Sequence, residues 1–299
     1  MKVFVTGATG YVGGALTEVL VQRGHEVSGL ARTDRAAAGL RRRGVRPVLG
    51  DLRRLDVLAS AAAAADGVVN AATTYDLDRG DVETAAVSAM LDALGDDGRP
   101  LVYTSDQLIY GDTGPEPAEE TRPLAPPPFL TWRPAVEQLV VSRPGVRGVA
   151  LRATAVHGRG GNQLFPGWIA ASARDGVAGY VAEGRVRWSF VHVDDLARAY
   201  ALALEDGAAR AVYNVAAEPA VSLRDVAAAV AEAAGVGGRT RSLSVDEAAP
   251  VFGPAARLFA EANLVLSARR IREDLGWAPT APTVLDDLTH GSYTTRAAR

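Results

Sequence analysis

Three glycines recur at intervals of three residues near the start of the chain, as Gly7, Gly10 and Gly13. They follow a short apolar run that predicts a buried strand, and they precede an amphipathic segment, Val12 to Arg23, that predicts a helix. In such a unit the first glycine allows a tight turn, the second lets the backbone approach a pyrophosphate, and the third permits close helix–strand packing. The free N–H groups and positive dipole end of the helix N-terminus favour phosphate here. The turn therefore predicts a dinucleotide site formed by Gly7, Thr9, Gly10, Tyr11, Val12 and Gly13.

Charged positions after the second and third predicted strands bear on the choice of cofactor. NAD-selective sites usually carry an acidic residue at the end of the second strand, whereas an arginine suits the 2′-phosphate of NADP. Arg32 stands at that position and favours NADP. NAD is the alternative because Asp34 follows closely, unless Asp34 only caps the next helix. In the Asp51-Leu52 pair, the carboxylate is placed to accept a hydrogen bond from an adenine amino group, to cap a helix, or to do both.

The predicted fifth strand ends in side chains that can carry chemistry, namely Ser105, Asp106 and Tyr110. Groups at the carboxyl ends of central parallel strands lie beside the bound ligand in folds of this kind. Partial burial would raise the pKa of Asp106 toward values useful to a general acid or base. We predict that Asp106 is catalytic, although it could instead cap a turn. Ser105 is a candidate hydrogen-bond partner of the substrate, and Tyr110 is either a catalytic candidate or a packing residue.

Other chemically capable residues receive weaker interpretations. Tyr75, Trp132 and His157 are candidates for lining the substrate space. His192 and the Asp194-Asp195 pair suggest an acid–base cluster, but we interpret them as the structural start of the strongly periodic helix that begins at Val193.

The elements that must position these residues alternate regularly between strand and helix up to about position 156. Repeated β-α units predict an α/β fold, a Rossmann doubly wound parallel sheet with helices on both faces. The alternation then breaks. We predict a dinucleotide-binding domain over 1–156, to which 188–216 returns, and a smaller C-terminal substrate-binding lobe formed by 157–187 and 217–299. A long proline-rich loop, 114–128, either covers the site or is a rigid connector.

Composition excludes several classes of function. The 299 residues are 48% hydrophobic and carry a net charge of −3, which argues against a nucleic-acid partner. The chain has no cysteine and four scattered histidines, so we predict no metal site. No stretch approaches the ~18 apolar residues of a membrane helix, and the start does not resemble a signal peptide. We expect a cytoplasmic protein with a small-molecule substrate and no membrane partner.

Taken together, these residues resemble the extended short-chain dehydrogenase/reductase family, of the NAD(P)-dependent epimerase/dehydratase type. Further stretches match that pattern in the right order, namely Val68-Val69-Asn70-Ala71-Ala72, Val102-Tyr103-Thr104-Ser105, Ser189-Phe190-Val191-His192-Val193-Asp194-Asp195 and Leu275-Gly276-Trp277. The resemblance implies that Ala71 and Ala72 lie under the nicotinamide ribose. It also implies a homodimer formed by the helices predicted at Asp81 to Leu94 and Thr131 to Ser142.

The chain departs from that family at the catalytic pair. The family uses a tyrosine as acid or base, and a lysine four positions later that holds the ribose and lowers the pKa of the tyrosine. Lys2, in the first strand, is the only lysine of the sequence. Aligning Glu137 with the glutamate that follows the family's lysine places Phe129 and Arg133 at the two positions. Phenylalanine cannot transfer a proton, whereas Arg133 could still hold ribose hydroxyls.

These observations predict an NADP-preferring oxidoreductase that acts on a small organic or sugar-like substrate with a non-standard proton donor. Two alternatives remain open, because both suit the loss of the tyrosine. One is a non-redox dehydratase, isomerase or cyclase that retains the dinucleotide. The other is a sensor that binds the dinucleotide and regulates a partner.

Overall fold

The structure, a computed structural model, describes residues 1–161 and 164–294. Positions 162, 163 and 295–299 of the predicted substrate lobe lie outside the described residues. The strands are β1 (Lys2–Thr6), β2 (Glu26–Ala31), β3 (Arg46–Leu49), β4 (Gly67–Asn70), β5 (Pro100–Asp106), β6 (Arg147–Ala153), β7 (Ala155–His157), β8 (Ala178–Val181), β9 (Arg187–His192), β10 (Ala211–Val215), β11 (Glu218–Ser222) and β12 (Thr240–Leu243).

The helices begin directly after the glycine turn and end close to the C-terminus. They are α1 (Tyr11–Gln22), α2 (Asp34–Arg42), α3 (Leu55–Ala63), α4 (Arg79–Leu94), α5 (Arg133–Ser142), α6 (Leu164–Asp175), α7 (Val193–Asp206), α8 (Leu223–Ala233), α9 (Val245–Phe252), α10 (Ala256–Glu261), α11 (Arg269–Leu275) and α12 (Val284–His290). Within residues 1–161 and 164–294, no helix is both long and apolar enough to cross a bilayer.

Seven parallel strands of the described chain form the main sheet in the order β10-β6-β5-β4-β1-β2-β3. The chain runs outward from β1 to β3 and then crosses to β4 on the other side of β1. The strand order therefore reverses between β1 and β4, and ligands of such sheets bind outside the carboxyl ends of the strands at this point. The predicted doubly wound α/β fold is confirmed.

Alternate residues of the strands face opposite layers of helices, as the period of two requires. Val3 and Val5 of β1 belong to a core with α1, α2 and α7, whereas Phe4 belongs to a core with α3, α4 and α5. Both layers hold the strand ends in fixed positions, so the residues that follow β1, β4 and β5 are presented at one edge of the sheet.

A separate apolar core lies in the C-terminal part and includes Phe165, Trp188 and Phe252. Phe165 and Phe252 lie in the segments predicted to form the substrate lobe, whereas Trp188 lies in the segment predicted to return to the first domain. Of the segment predicted to return to the first domain, α7 packs against α1 and β10 joins the main sheet. Its first part does not join that sheet, because β9 pairs with β7 and β11 instead.

The sequence analysis did not predict several short strands and helices of the C-terminal half, namely β7, β8, β11, β12, α9 and α11. Strands of three to five residues are too short to carry a clear periodicity. The proline-rich loop is held as a connector, because the Ala118 N–H donates to Val265 O at 2.8 Å and the Ser267 N–H donates to Ala118 O at 2.9 Å. Among the described residues, none between 113 and 128 lines the cavity described next.

Candidate active site

A cavity of about 1150 Å³ lies at the carboxyl edge of the main sheet. The glycine turn and the ends of β2, β3 and β4 line one part of it. The end of β5, the segment 154–156, Trp188 and the region between α9 and α10 line the other part. The cavity therefore has two halves. We call the half at the glycine turn the dinucleotide half; the other half faces the C-terminal lobe.

The three glycines of the turn have different steric roles. Gly7 has φ +72°, and a Cβ there would lie 2.4 Å from Ala71 O, so this glycine lets β1 approach the end of β4. A Cβ on Gly13 would lie 2.1 Å from Gly7 O, which explains the close packing of α1 on the turn. Gly10 lines the cavity, and its Cβ would meet only Gly7 O, at 3.2 Å. Gly10 is thus the glycine whose missing side chain leaves room for a ligand.

The N-terminus of α1 is suited to bind phosphate. Gly10 is the N-cap residue, so no side chain caps the helix, and its first turn contains no acidic residue. The first N–H groups of a helix have no partner within it, and the dipole makes this end positive. Tyr11 is fixed at this end because its hydroxyl donates a hydrogen bond to Gly158 O at 2.8 Å. The residues present fit the pyrophosphate of a dinucleotide.

Among the described residues, two arginines line the cavity, Arg32 and Arg53, and both lie in the dinucleotide half. Arg32 is exposed and has no ion-pair partner among the described residues. Arg53 forms ion pairs with Asp76 at 3.1 Å and with Asp78 at 2.8 Å, which tie the segment after β4 to this end. Asp51 lines the cavity, and its Oδ1 accepts the Arg53 N–H at 2.9 Å, so Oδ2 is left for another donor.

The helix caps at these positions differ from the sequence-based alternatives. Thr33 caps α2, because its hydroxyl accepts the N–H of Ala36, whereas Asp34 lies in the first turn. Asp51 caps no helix, since α3 begins at Leu55 after an Arg54 N-cap.

Nearly all residues predicted to bind the cofactor line the cavity together, namely Gly7, Thr9, Gly10, Tyr11, Val12, Gly13, Arg32, Asp51, Leu52, Ala71 and Ala72. Arg133 does not line it. Its guanidinium donates to Thr104 O at 2.9 Å and lies 3.5 Å from a Glu83 carboxylate oxygen. Because Arg133 is buried, its charge requires this acidic partner, and the Glu83 carboxylate also accepts a hydrogen bond from Tyr103 at 2.7 Å.

Asp106 is the acidic residue that the cavity brings next to the apolar half. It ends β5, lines the cavity, and accepts the Leu108 N–H through Oδ1 at 2.8 Å. Burial raises the pKa of the Asp106 carboxyl, against the opposing effects of the Arg133 charge and the Leu108 hydrogen bond. The residue therefore caps a turn, as the structural alternative required, and also presents to the cavity a carboxyl whose pKa is raised.

Ser105 and Tyr110 are not brought to the cavity. Ser105 points away from it, as alternation along β5 requires, and its buried hydroxyl has no hydrogen-bond partner among the described residues. The Tyr110 hydroxyl accepts a hydrogen bond from Arg152 Nη1 at 2.5 Å and donates to Asn214 Oδ1 at 2.8 Å. Burial is the main cause that raises the pKa of Tyr110 to about 12.

The apolar half of the cavity is formed by residues that the sequence analysis missed. Trp188 of β9, Phe252 at the end of α9 and Phe259 of α10 lie there, with Leu108 and Leu164. Apart from Phe252 and Phe259, they are far apart in the sequence, so no local pattern links the whole set. The Phe252-Gly253-Pro254 turn was the available signal, since Gly-Pro pairs mark turns and this one separates α9 from α10. Of the other lining candidates, Tyr75 lines the cavity, whereas Trp132 and His157 do not.

Two of the four scattered histidines meet in the fold. The rings of His157 and His192 are 5.1 Å apart, and Asp287 lies beside them, with possible ligand atoms of the three residues within 4.8 Å of one another. His192 caps α7 by accepting the Asp194 N–H, as its interpretation as a helix start predicted. Burial lowers the pKa of His157, but the Asp287 and Glu218 carboxylates outweigh that effect and raise it.

Comparisons with known proteins agree with this arrangement. The description of the matching family model is NAD dependent epimerase/dehydratase family, and the match covers residues 3–216. The uncharacterised protein C2A9.02 of Schizosaccharomyces pombe is 31% identical, over 98% of this chain and 100% of that protein. The 4-hydroxy-2-methyl-3-oxo-4-farnesyl-3,4-dihydroquinoline-1-oxide ketoreductase of Stigmatella aurantiaca is 29% identical, over 79% of this chain and 74% of that protein.

A solved structure shows the same fold over the whole chain. The UDP-glucose 4-epimerase of Thermus thermophilus, in complex with NAD, superimposes with a TM-score of 0.79 at 24% identity, and the match covers 100% of both chains. The family match spans β1 to β10, which include every strand of the main sheet and the glycine turn. The chain therefore belongs to the NAD dependent epimerase/dehydratase family and is an NAD(P)-dependent enzyme.

Proposed function

We propose that the protein is an NADP-preferring oxidoreductase that interconverts a carbonyl compound and its alcohol, with Asp106 as the proton donor and acceptor. The carrying observation is the position of the Asp106 carboxyl. It lines the same cavity as the glycine turn, at the end of the central strand β5, and its pKa is raised by burial. The relative named as a ketoreductase supports carbonyl chemistry.

In the dinucleotide half, the lining residues have distinct roles in binding the cofactor. The N-terminus of α1 and Gly10 hold the pyrophosphate, Asp51 accepts from the adenine, and Ala71 and Ala72 lie under the nicotinamide ribose. Arg32 pairs with the 2′-phosphate, because it is an exposed cation without an acidic partner in the described chain. When bound, the dinucleotide supplies or accepts the hydride.

Asp106 then accounts for the proton. In the reducing direction the carbonyl carbon receives a hydride, and the carbonyl oxygen receives the proton of the Asp106 carboxyl. An alcohol and an Asp106 carboxylate result, and water returns the proton to the carboxylate. The raised pKa favours the protonated form before the reaction. Arg133 acts at a distance, because its charge limits how far that pKa rises.

The test measures NADPH oxidation at 340 nm with a panel of activated ketones, enones and nucleotide sugars. Turnover with NADPH that exceeds turnover with NADH supports the proposal. Tight dinucleotide binding without an absorbance change, together with formation of a product, would support the non-redox alternative instead. Binding without any product would leave the sensor alternative.

A further inference from the structure

Three aromatic side chains close the half of the cavity that lies opposite the arginines. We call Trp188, Phe252 and Phe259 the aromatic cap. The Phe252 and Phe259 rings are stacked, with centroids 4.2 Å apart and planes at 14°, and the Trp188 ring lies 4.3 Å from Phe259. The Trp188 indole N–H donates to Ala262 O at 2.9 Å, so its polar atom is already satisfied. What the aromatic cap offers a ligand is therefore apolar ring surface.

The aromatic cap is held rigidly. Trp168 packs edge-on against Phe252 from behind, at a centroid distance of 4.9 Å, and all three residues of the aromatic cap are buried, with at most 7% of their surface exposed. The turn between α9 and α10 contributes Gly253 and Ala255 to the cavity wall. Because these rings are locked by packing, they form a preformed apolar surface beside Asp106, which favours binding of a rigid apolar body.

The distribution of charge points to the same class of ligand. Among the described residues that line the cavity, the cations are Arg32 and Arg53, both in the dinucleotide half. In the half with the aromatic cap, Asp106 is the acidic lining residue of the described chain, and no described cation lines that half. The diphosphate of a nucleotide sugar bound there would lose its hydration without gaining a cation.

Cations on the far side of α9 do not change this conclusion. A smaller cavity of about 240 Å³ lies behind Phe252 and is lined by Arg174 and Arg241. Arg174 is paired with Asp175 at 2.8 Å, and Arg241 lies 3.6 Å from a Glu247 carboxylate oxygen. Both charges already have acidic partners, and Phe252 stands between them and the main cavity.

We infer that the substrate is an uncharged carbonyl compound with an aromatic or other apolar body, which the aromatic cap binds, and that it is not a nucleotide sugar. This inference rests on the proposed function for the carbonyl group, and it adds the class of substrate. The carbonyl lies toward Asp106, and the apolar body packs on Trp188, Phe252 and Phe259. Leu108 and Leu164 cover its remaining sides.

The test uses a complex in which hydride transfer cannot occur. Protein saturated with NADP⁺, or with NAD⁺ if only that dinucleotide binds, is titrated calorimetrically with 2-acetylnaphthalene and, separately, with UDP-glucose. A ketone and an oxidised dinucleotide form no product, so the heat reports binding alone. The inference expects saturable binding of 2-acetylnaphthalene that a tenfold excess of UDP-glucose does not displace. Tighter binding of UDP-glucose than of the ketone would overturn it.

A pair of variants separates the aromatic cap from the core behind it. Phe259→Leu should weaken 2-acetylnaphthalene binding roughly tenfold, the usual effect of reshaping an apolar pocket, and leave the dinucleotide affinity unchanged. Phe165→Leu is the matched control, because Phe165 is buried in the same core but does not line the cavity. Equal ketone affinity in the two variants would contradict the assignment.

A third variant keeps the test decisive if Phe259→Leu does not fold. Ala255 lines the cavity at the exposed turn between α9 and α10. Ala255→Arg should weaken binding of the ketone and strengthen binding of UDP-glucose, and an unchanged ratio of the two affinities would count against the aromatic cap. Ketone binding without NADPH oxidation would overturn the proposed redox function and leave this inference standing. Reduction of a nucleotide sugar would do the reverse.

Discussion

At the scale of single residues, the charged and acidic side chains of this protein differ in whether they are paired with an opposite charge. Buried charges such as Arg133 and Arg152 are held by buried glutamates, Glu83 and Glu137. Arg32 and Asp106, in contrast, face the cavity without an opposite charge in direct contact among the described residues. A group in a cavity whose pKa is raised by burial, such as Asp106, is a candidate for function, and an exposed cation such as Arg32 is available to an anionic ligand. We therefore expect substitution of Asp106 to affect catalysis and substitution of Arg32 to affect cofactor binding.

Replacement of Asp106 by asparagine should separate catalysis from stability. Asp106→Asn keeps an oxygen for the Leu108 N–H but removes the ionisable carboxyl, so turnover should fall by roughly 10²–10⁴-fold. The folded pKa is raised, so above the unfolded pKa the carboxylate destabilises the folded state. The free energy of unfolding at pH 7 should thus be unchanged or higher in Asp106→Asn, as urea unfolding would measure.

The pH dependence of the wild-type rate follows from the same shift. The proton donor is the acid form, so the reduction rate should fall as pH rises through the raised pKa of Asp106, and this limb should vanish in Asp106→Asn. Full activity of Asp106→Asn with an unchanged pH profile would place the proton donor elsewhere.

Cofactor choice should depend on Arg32. Its guanidinium has no ion-pair partner in the described chain, and charge-assisted hydrogen bonds to a phosphate are worth about 1.5–3 kcal/mol. Calorimetric titration should show tighter binding of NADP than of NAD, and Arg32→Ala should remove most of the difference. Arg35→Ala, on the exposed first turn of α2 and outside the cavity, is the control. Equal affinities in the wild-type protein would contradict the prediction.

Tyr110 should behave as a structural residue. Its hydroxyl is shared by Arg152 and Asn214, so Tyr110→Phe leaves two buried polar groups without this partner, at a cost of about 1–3 kcal/mol. Urea unfolding should detect this loss while kcat stays close to the wild-type value. These expected effects are the reverse of those of Asp106→Asn, which should lower turnover without lowering the free energy of unfolding. A large fall in kcat without a change in stability would return Tyr110 to the list of catalytic candidates.

At the scale of elements, the strand–turn–helix unit of β1 and α1 divides its steric requirements between different glycines. Gly7 and Gly13 are required by the protein itself, because a Cβ at either position would overlap backbone atoms. Gly10 faces the cavity instead. The unit can therefore lose ligand binding at one glycine without losing its fold.

Gly10→Val should abolish dinucleotide binding and leave most of the fold intact. The branched side chain would occupy the space that the pyrophosphate needs, whereas within the protein its Cβ meets only Gly7 O at 3.2 Å. Gly14→Ala is the matched control, because that Cβ would meet only the flexible end of Arg43, at 3.0 Å, away from the cavity. Circular dichroism checks the fold and calorimetry checks binding. Normal binding by Gly10→Val would exclude the turn as the phosphate site.

At the scale of the whole molecule, the predicted homodimer remains to be measured. The large apolar residues of α4 and α5, such as Met90 and Val140, are buried within the chain. These residues pack within the chain, where α4 contacts both α3 and α5. The exposed face that α5 leaves for a partner includes Ala135 and Gln138.

We nevertheless expect a homodimer across these helices, since the family resemblance implies one, and the assembly is testable. Light scattering at micromolar concentration should give twice the 31.2 kDa of the chain. Ala135→Arg should shift that mass to the monomer, because a long charged side chain would prevent close approach of two α5 helices. Gln22→Arg, at the exposed end of α1, should not. A monomeric mass for the wild-type protein would refute the dimer.

The sequence by itself determined the class of the fold and most of the dinucleotide half. Both depend on short-range patterns, since the turn from Gly7 to Gly13 lies within one β-α unit. Arg32, Asp51 and Asp106 each lie at or just after the end of a strand, and parallel strands bring their carboxyl ends to one edge whatever the details of packing. The periodicity of the sequence likewise predicted the start of α7 at Val193.

Only the tertiary structure determined which residues form the other half of the cavity and which partners the buried polar groups have. The aromatic cap joins β9 to α9 and α10 across more than sixty positions, and such a contact has no local signature. Arg133 was predicted to hold ribose, but burial couples it to Glu83 instead. The partner of a buried charge depends on which elements pack together, and that is a property of the folded chain rather than of any segment.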